Sequence, residues 1–158
     1  NFPWASAREY STIDNIPEYV LANNHGDCGQ VTLLFLTLCR SVGIPAHFQS
    51  GFMLHPGDEN LHDWGEIYIQ DLGWVPVDMS FGIPAYAQNE KETFFFLGGI
   101  DSFRMVVNND FGCPLYPAKQ YPRSETVDFQ RGEVEWQGGN LYFDKWKWNI
   151  EVLERTDL

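Results

Sequence analysis

The sequence predicts an α+β domain, and three observations predict it. One strongly amphipathic helix lies early in the chain, at 27–43. After it come short alternating segments separated by turn residues, the pattern of antiparallel strands. The composition, 44% hydrophobic and 16% aromatic, is that of a chain with a buried core and not of a disordered one. At 158 residues the chain is long enough for one compact domain. We expect a single domain over 1–158, with its motif core at about 16–82 and a strand-rich extension at about 94–155, belonging to a longer chain.

The elements follow in order. Asn15 to Leu21 reads as a short helix with Pro17 at its start. Asn23-Asn24-His25-Gly26 is a turn. Asp27 is a candidate N-cap for the main helix. Val31, Leu34, Phe35, Leu38, Cys39 and Val42 recur at helical spacing and predict one buried stripe. Gly43 suits the left-handed residue that ends a helix, and Pro45 blocks continuation. Ala46 to Phe52 has strand character, with a loop from His55 to Asn60. Trp64 to Ile69 and Trp74 to Val77 are strands joined by a turn over 70–73. Residues 81–92 read as irregular. Phe94-Phe95-Phe96 is expected to be a buried strand and Asp101 to Asn108 another. Pro114, Pro117 and Pro122 mark a long loop. Arg131 to Trp136 and Leu141 to Leu153 read as a terminal hairpin.

Charge and composition narrow the partners. A net charge of −12 argues against a nucleic-acid or anionic-membrane surface, which needs clustered Lys and Arg. No apolar run is long enough to span a bilayer as a helix. The start at Asn1, without Met or a signal pattern, points to a fragment or a processed product. Secretion or a cell-surface location with the leader removed is one reading, and deliberate truncation explains it equally well. Cys28, Cys39 and Cys113 show neither zinc spacing nor a dense disulfide framework. The oligomeric state is not written in the pattern.

Three residues carry the chemistry. Cys28 opens the main helix, where exposed amides and the helix dipole favour a negative charge and so a thiolate. Its own N–H is placed to bind an oxyanion. His62 begins the segment that holds the Trp64 to Ile69 and Trp74 to Val77 strands, and Asp78 ends it. With the turn centred near Gln70, Tyr68 opposes Leu72, and His62 opposes Asp78 at ~4.5–5.5 Å between Cβ atoms. A carboxylate could then fix one imidazole nitrogen while the other faces the thiol. Asp63 and Glu66 are rival carboxylates, and His25, His47 and His55 rival bases. Cys39 lies roughly 16 Å down the helix from Cys28 at ~1.5 Å per residue, which also excludes a Cys28–Cys39 disulfide. Cys113 has no base near it in sequence. Taken singly, each of the three suits a structural role, a small buried hydrophobe or a turn former; jointly they suit nucleophilic catalysis.

These residues resemble a known family. Gly26-Asp27-Cys28, Cys39-Arg40, Gly43-Ile44-Pro45-Ala46, Gly51-Phe52, His62-Asp63-Trp64-Gly65-Glu66 and Gly73-Trp74-Val75-Pro76-Val77-Asp78 stand in the order of the transglutaminase-like core, of bacterial type, over about 16–82. The resemblance implies a papain-like α+β fold with the nucleophile helix packed on an antiparallel sheet. It implies Cys28 as nucleophile, His62 as base and Asp78 as orienting carboxylate. Gly65 departs from the family, which usually carries Ala or Val there. No acidic spacing of a calcium loop is present, so no metal and no cofactor are expected. The expected function is hydrolysis of a peptide or protein amide through a thioester. Transfer to a primary amine and a non-catalytic peptide- or sugar-binding module are the alternatives. Trp4, Tyr10 and Tyr19 are candidates for an upstream oxyanion partner. Trp136, Tyr142, Phe143, Trp146 and Trp148 are candidates for a binding platform or for strand core. Arg104 could bind a carboxylate or form a salt bridge.

Overall fold

A computed structural model describes residues 2–6, 9–84, 87–128, 130–154 and 156. A 3₁₀ turn at Tyr10–Thr12 precedes α1 (Ile16–Asn23) and α2 (Cys28–Ser41). Then come β1 (Ala46–His55), β2 (Asp58–Ile69), β3 (Gly73–Val77), the single turn α3 (Glu90–Thr93) and β4 (Arg104–Asn109). A small hairpin follows, β5 (Val134–Trp136) and β6 (Gly139–Leu141), with a last 3₁₀ turn at Phe143–Lys145. β1 to β4 form one antiparallel sheet in the order β3-β2-β1-β4, and β5 pairs only with β6. The architecture is α+β, as expected, with α2 packed on β1 and β2.

The helix caps explain where α1 and α2 begin. Asn15 accepts from the Glu18 amide at 3.2 Å, and Pro17 stands in the first turn of α1. Asp27 and Gln30 form a reciprocal capping box: Gln30 N donates to Asp27 Oδ1 at 2.8 Å, and Asp27 N to Gln30 Oε1 at 3.2 Å. Gly43, at φ +83°, follows the end of α2 as expected.

The buried face of α2 matches the expected stripe only in part. Leu34 and Cys39 are buried and Val31 and Phe35 half-buried, but Leu38 and Val42 are exposed, and Gly29, Gln30, Thr32 and Leu36 are buried as well. The reason is close approach. Gly29 lies against Tyr10 and Asp63, where an added Cβ would sit 2.4 Å from the phenol oxygen and 2.7 Å from the carboxylate. Leu36 fills the space left by Gly65, where a Cβ would come within 2.8 Å of its methyl. The missing side chains of Gly29 and Gly65 therefore allow this close approach. Around it lies a core of Tyr10, Ile16, Leu36, Cys39, Ala46, Phe48 and Val127.

Strand lengths and register also differ from expectation. β1 and β2 meet in a tight hairpin at Pro56-Gly57, not a six-residue loop, because Gly57 takes φ +80°. Between β2 and β3, Tyr68 pairs with Trp74 and Ile69 with Gly73. The turn is thus centred on Asp71, itself at φ +71°, and not on Gln70. Moving the centre by one residue shifts the register by two. An even shift keeps every side chain on its face, so His62 and Asp78 share a face as diagonal neighbours.

Phe94-Phe95-Phe96 is not a strand. It turns off the end of α3, exposes Phe94, and buries Phe96 against Phe81 with ring centroids 4.7 Å apart. The Phe96 carbonyl accepts from the Asp78 amide at 2.9 Å, which ties this turn to the end of β3. The terminal hairpin is much shorter than 131–153, because its turn is followed by a 3₁₀ turn and extended chain. No helix among the described residues is long and apolar enough to cross a membrane.

Candidate active site

Cys28 and His62 line one cavity of about 460 Å³ at the start of α2. Its wall also includes Asp27, Asp63, Phe81 and Trp148, and from the C-terminal segment Glu125, Asp128 and Arg131. The capping box sets the position of Cys28 as the first residue of α2, half-buried. Strand β2 supplies both His62 and Asp63, and alternation sends them to opposite sides. His62 shares its side with Trp64, the two rings stacked at 6.1 Å and 26°. Asp63 shares its side with Gly65, toward α2.

His62 and Asp78 are joined. His62 Nε2 lies 2.7 Å from Asp78 Oδ2, and both side chains are nearly or wholly removed from water. Asp78 Oδ1 accepts from the Ser80 amide at 3.0 Å. Arg104, the first residue of β4, completes the carboxylate's surroundings: its Nη1 donates to Asp78 Oδ2 at 2.8 Å, while Nε and Nη2 donate to Asp101 Oδ2 at 3.0 and 2.8 Å. The guanidinium lies over the rings of Phe81 (4.8 Å) and Trp64 (5.6 Å). Of the two roles suggested for Arg104, the buried salt bridge is the one observed.

The thiol has a different partner. Cys28 Sγ lies 3.1 Å from Asp63 Oδ2. Among the described residues no hydrogen bond joins the sulfur to His62. Asp63 Oδ1 accepts from Gln130 Nε2 at 2.9 Å. Tyr10 donates to Asp27 Oδ1 at 2.5 Å. Burial, then Asp63 and Asp27, push the Cys28 thiol well above its ordinary pKa, although the Asp63 backbone amide opposes them. The expected benefit of the helix start is therefore outweighed in this arrangement. Burial and the neighbouring Asp128 and Asp27 push Asp63 well up too. Burial raises Asp27. It also raises Glu125 to about 9 and Asp128 to about 6. Burial and Asp27 lift the Tyr10 phenol well above its usual range.

The rivals fall elsewhere. His47 is bound to Glu66 at 2.5 Å and lies on Trp74 with centroids 4.3 Å apart. His55 lies 3.1 Å from Asp101, and His25 packs edge-on to Tyr19. None of these three histidines lines the cavity. Cys39 is buried in the core and Cys113 is exposed, both with free thiols. Of the upstream aromatics, Trp4 and Tyr10 reach the cavity and Tyr19 does not; of the C-terminal ones, Trp148 does. Glu125, Asp128, Gln130 and Arg131 were not legible as site residues. Nothing in the periodicity of 124–131 marks a return to the start of α2; Val127 in the core is the anchor that brings it there. Among the described residues no cluster of three or more His, Cys, Asp or Glu side chains has the form of a metal site.

A search of curated proteins gave no match. Among solved structures, the chain is similar to the crystal structure of a "putative cysteine protease" from Cytophaga hutchinsonii, at 26% identity and a TM-score of 0.39. That likeness covers 49% of this chain and 26% of the other, so the chain spans about a quarter of that protein. The model of the transglutaminase-like superfamily core matches residues 1–79, which include Cys28, His62 and Asp78. Half of the chain is thereby accounted for, and the chain belongs to the transglutaminase-like superfamily.

Proposed function

We propose that the domain is a cysteine-dependent acyl enzyme that cleaves a peptide or related amide through a thioester on Cys28. The observation that carries the reading is the 2.7 Å contact to a fully buried Asp78 from Nε2 of His62, a residue that lines the same cavity as Cys28. With Nε2 engaged, Nδ1 is the ring nitrogen left for proton transfer. In this reading Asp78 holds the tautomer, and His62 takes the proton from Cys28. The S–H bond breaks, an N–H bond forms on the imidazole, and the sulfur keeps the pair that attacks the amide carbonyl. The Cys28 N–H helps to hold the oxyanion. His62 returns the proton to the leaving amine, and water attacks the thioester.

Hydrolysis is favoured over transfer to an amine because water needs no binding site of its own. The decisive experiment incubates the protein with a panel of short peptides and glutamine-containing amides, with and without a labelled primary amine. Cleavage or deamidation that is lost in Cys28→Ala and His62→Ala, without label incorporated, is expected. Incorporation of label without free acid would reject hydrolysis in favour of transfer. Equal turnover by wild type and Cys28→Ala would reject the cysteine mechanism.

A further inference from the structure

The cavity holds one group whose position the proposed reaction does not use. Asp63 follows the proposed base directly in sequence, yet alternation along β2 turns it toward α2 and onto the nucleophile. Gln130 Nε2 donates to its other oxygen at 2.9 Å, Asp128 is hydrogen-bonded to it as well, and Gly29 leaves the space that its carboxylate occupies. Gln130 is in turn held by Ser50, whose hydroxyl donates to Gln130 Oε1 at 2.9 Å. A carboxylate at 3.1 Å from a thiol accepts its proton's hydrogen bond and repels the thiolate.

We propose that Asp63 is a positioning residue that holds Cys28 in its protonated, resting form through the Sγ–H···Oδ2 hydrogen bond. Of the charged and titratable groups facing the pair, Asp27 reinforces this at Cys28, and Asp128 and Asp27 act on Asp63. Tyr10 and Asp27 stand on the helix side, His62 is beside it on β2, and Glu125, Asp128 and Arg131 come from the C-terminal segment. Arg131 is the only Lys or Arg among the described residues lining this cavity, against four carboxyl groups. Asp63 raises the Cys28 thiol, and the Cys28 hydrogen bond in turn lowers Asp63 against the rise that burial, Asp128 and Asp27 give it, the pattern of a thiol donating to a carboxylate. Attack then needs that proton to leave sulfur: the S–H bond breaks and an N–H bond forms at His62, with the electron pair left on sulfur. An asparagine at 63 would keep the shape, remove the charge and offer an N–H to the thiolate.

The functional meaning of this hold rests on Cys28 being the nucleophile, but its test does not use turnover. Cys113 is an exposed free thiol and serves as the internal standard. Iodoacetamide labelling is followed residue by residue by mass spectrometry from pH 6 to 9.5, in wild type and Asp63→Asn. In wild type, Cys28 is expected to label more slowly than Cys113 at pH 7 and to rise only above the pH at which Cys113 rises. In Asp63→Asn, the Cys28 rate at pH 7 is expected to increase by more than about tenfold, the change that one pH unit makes in thiolate fraction. Cys28 labelling faster than Cys113 in wild type would overturn the proposal, and this comparison stands even if the variant does not fold. An unchanged profile in folded Asp63→Asn would also overturn it. A protein that labels as expected but turns over no amide keeps this proposal and loses the enzymatic one.

Discussion

Replacing Arg104 with Met tests how the His62–Asp78 pair is held. Methionine keeps an unbranched stem over Trp64 and Phe81 but removes the guanidinium. Arg104 is 3% exposed at the side chain and Asp78 is fully buried. The change deletes the donor at 2.8 Å to Asp78 and both donors to Asp101. Asp101 lies nearer solvent and can be rehydrated; Asp78 cannot. Breaking a buried pair by removing one partner costs about 3–5 kcal/mol, because a charge is left without compensation. For a domain of this size that lowers Tm by roughly 6–20 °C, at about 2–4 °C per kcal/mol. Urea unfolding followed by tryptophan fluorescence measures the loss directly. The cycle with Asp78→Asn separates the pair from the packing. If the argument holds, the double variant is less destabilised than the sum of the singles by at least ~2 kcal/mol. Additivity within ~0.5 kcal/mol would refute it, since the two groups would then act independently.

Stability should fall as pH rises from about 5 to 9. Asp128 and Glu125 titrate in the folded chain at about 6 and about 9, against ordinary values of roughly 3.9 and 4.3. Over that window the native state binds more protons than the unfolded one, so their stabilisation is complete below the ordinary values and is lost through the raised ones. Tm measured against pH checks this, and Glu125→Gln should flatten the alkaline part of the curve; a Tm that climbs from pH 5 to 9 would contradict it. Gly65→Ala should cost ~1–3 kcal/mol by overpacking, because the new methyl meets Leu36 at 2.8 Å and the His47 carbonyl at 3.1 Å. Adding Leu36→Ala should recover part of that loss relative to the summed singles, and strict additivity would show that the two do not share the space.

The sequence carried the helix caps well, since Asp27 and Gly43 act through neighbours within a few residues. It carried the α+β order and the relation between His62 and Asp78 for a similar reason. Side-chain face survives any even slip of register, so the pair formed although the turn was centred one residue away. The face of α2 was read only in part, because apolarity was counted and closeness was not: Leu34 and Cys39 are buried as expected, but so are Gly29 and Thr32, while Leu38 faces water. The Cys28–Asp63 contact was missed because it depends on which side of β2 meets the helix start. Phe94 to Phe96 looked like a strand because three adjacent aromatics hide the fact that one of them alone is buried.

The central claim is that Cys28 carries the acyl group. Once a cleaved amide is in hand, an acid-quenched reaction analysed by peptide mass spectrometry tests it. A substoichiometric acyl adduct is expected on the peptide bearing Cys28, released by hydroxylamine and absent from Cys28→Ala. Cleavage that proceeds with no adduct on Cys28 in wild type and undiminished rate in Cys28→Ala would contradict it.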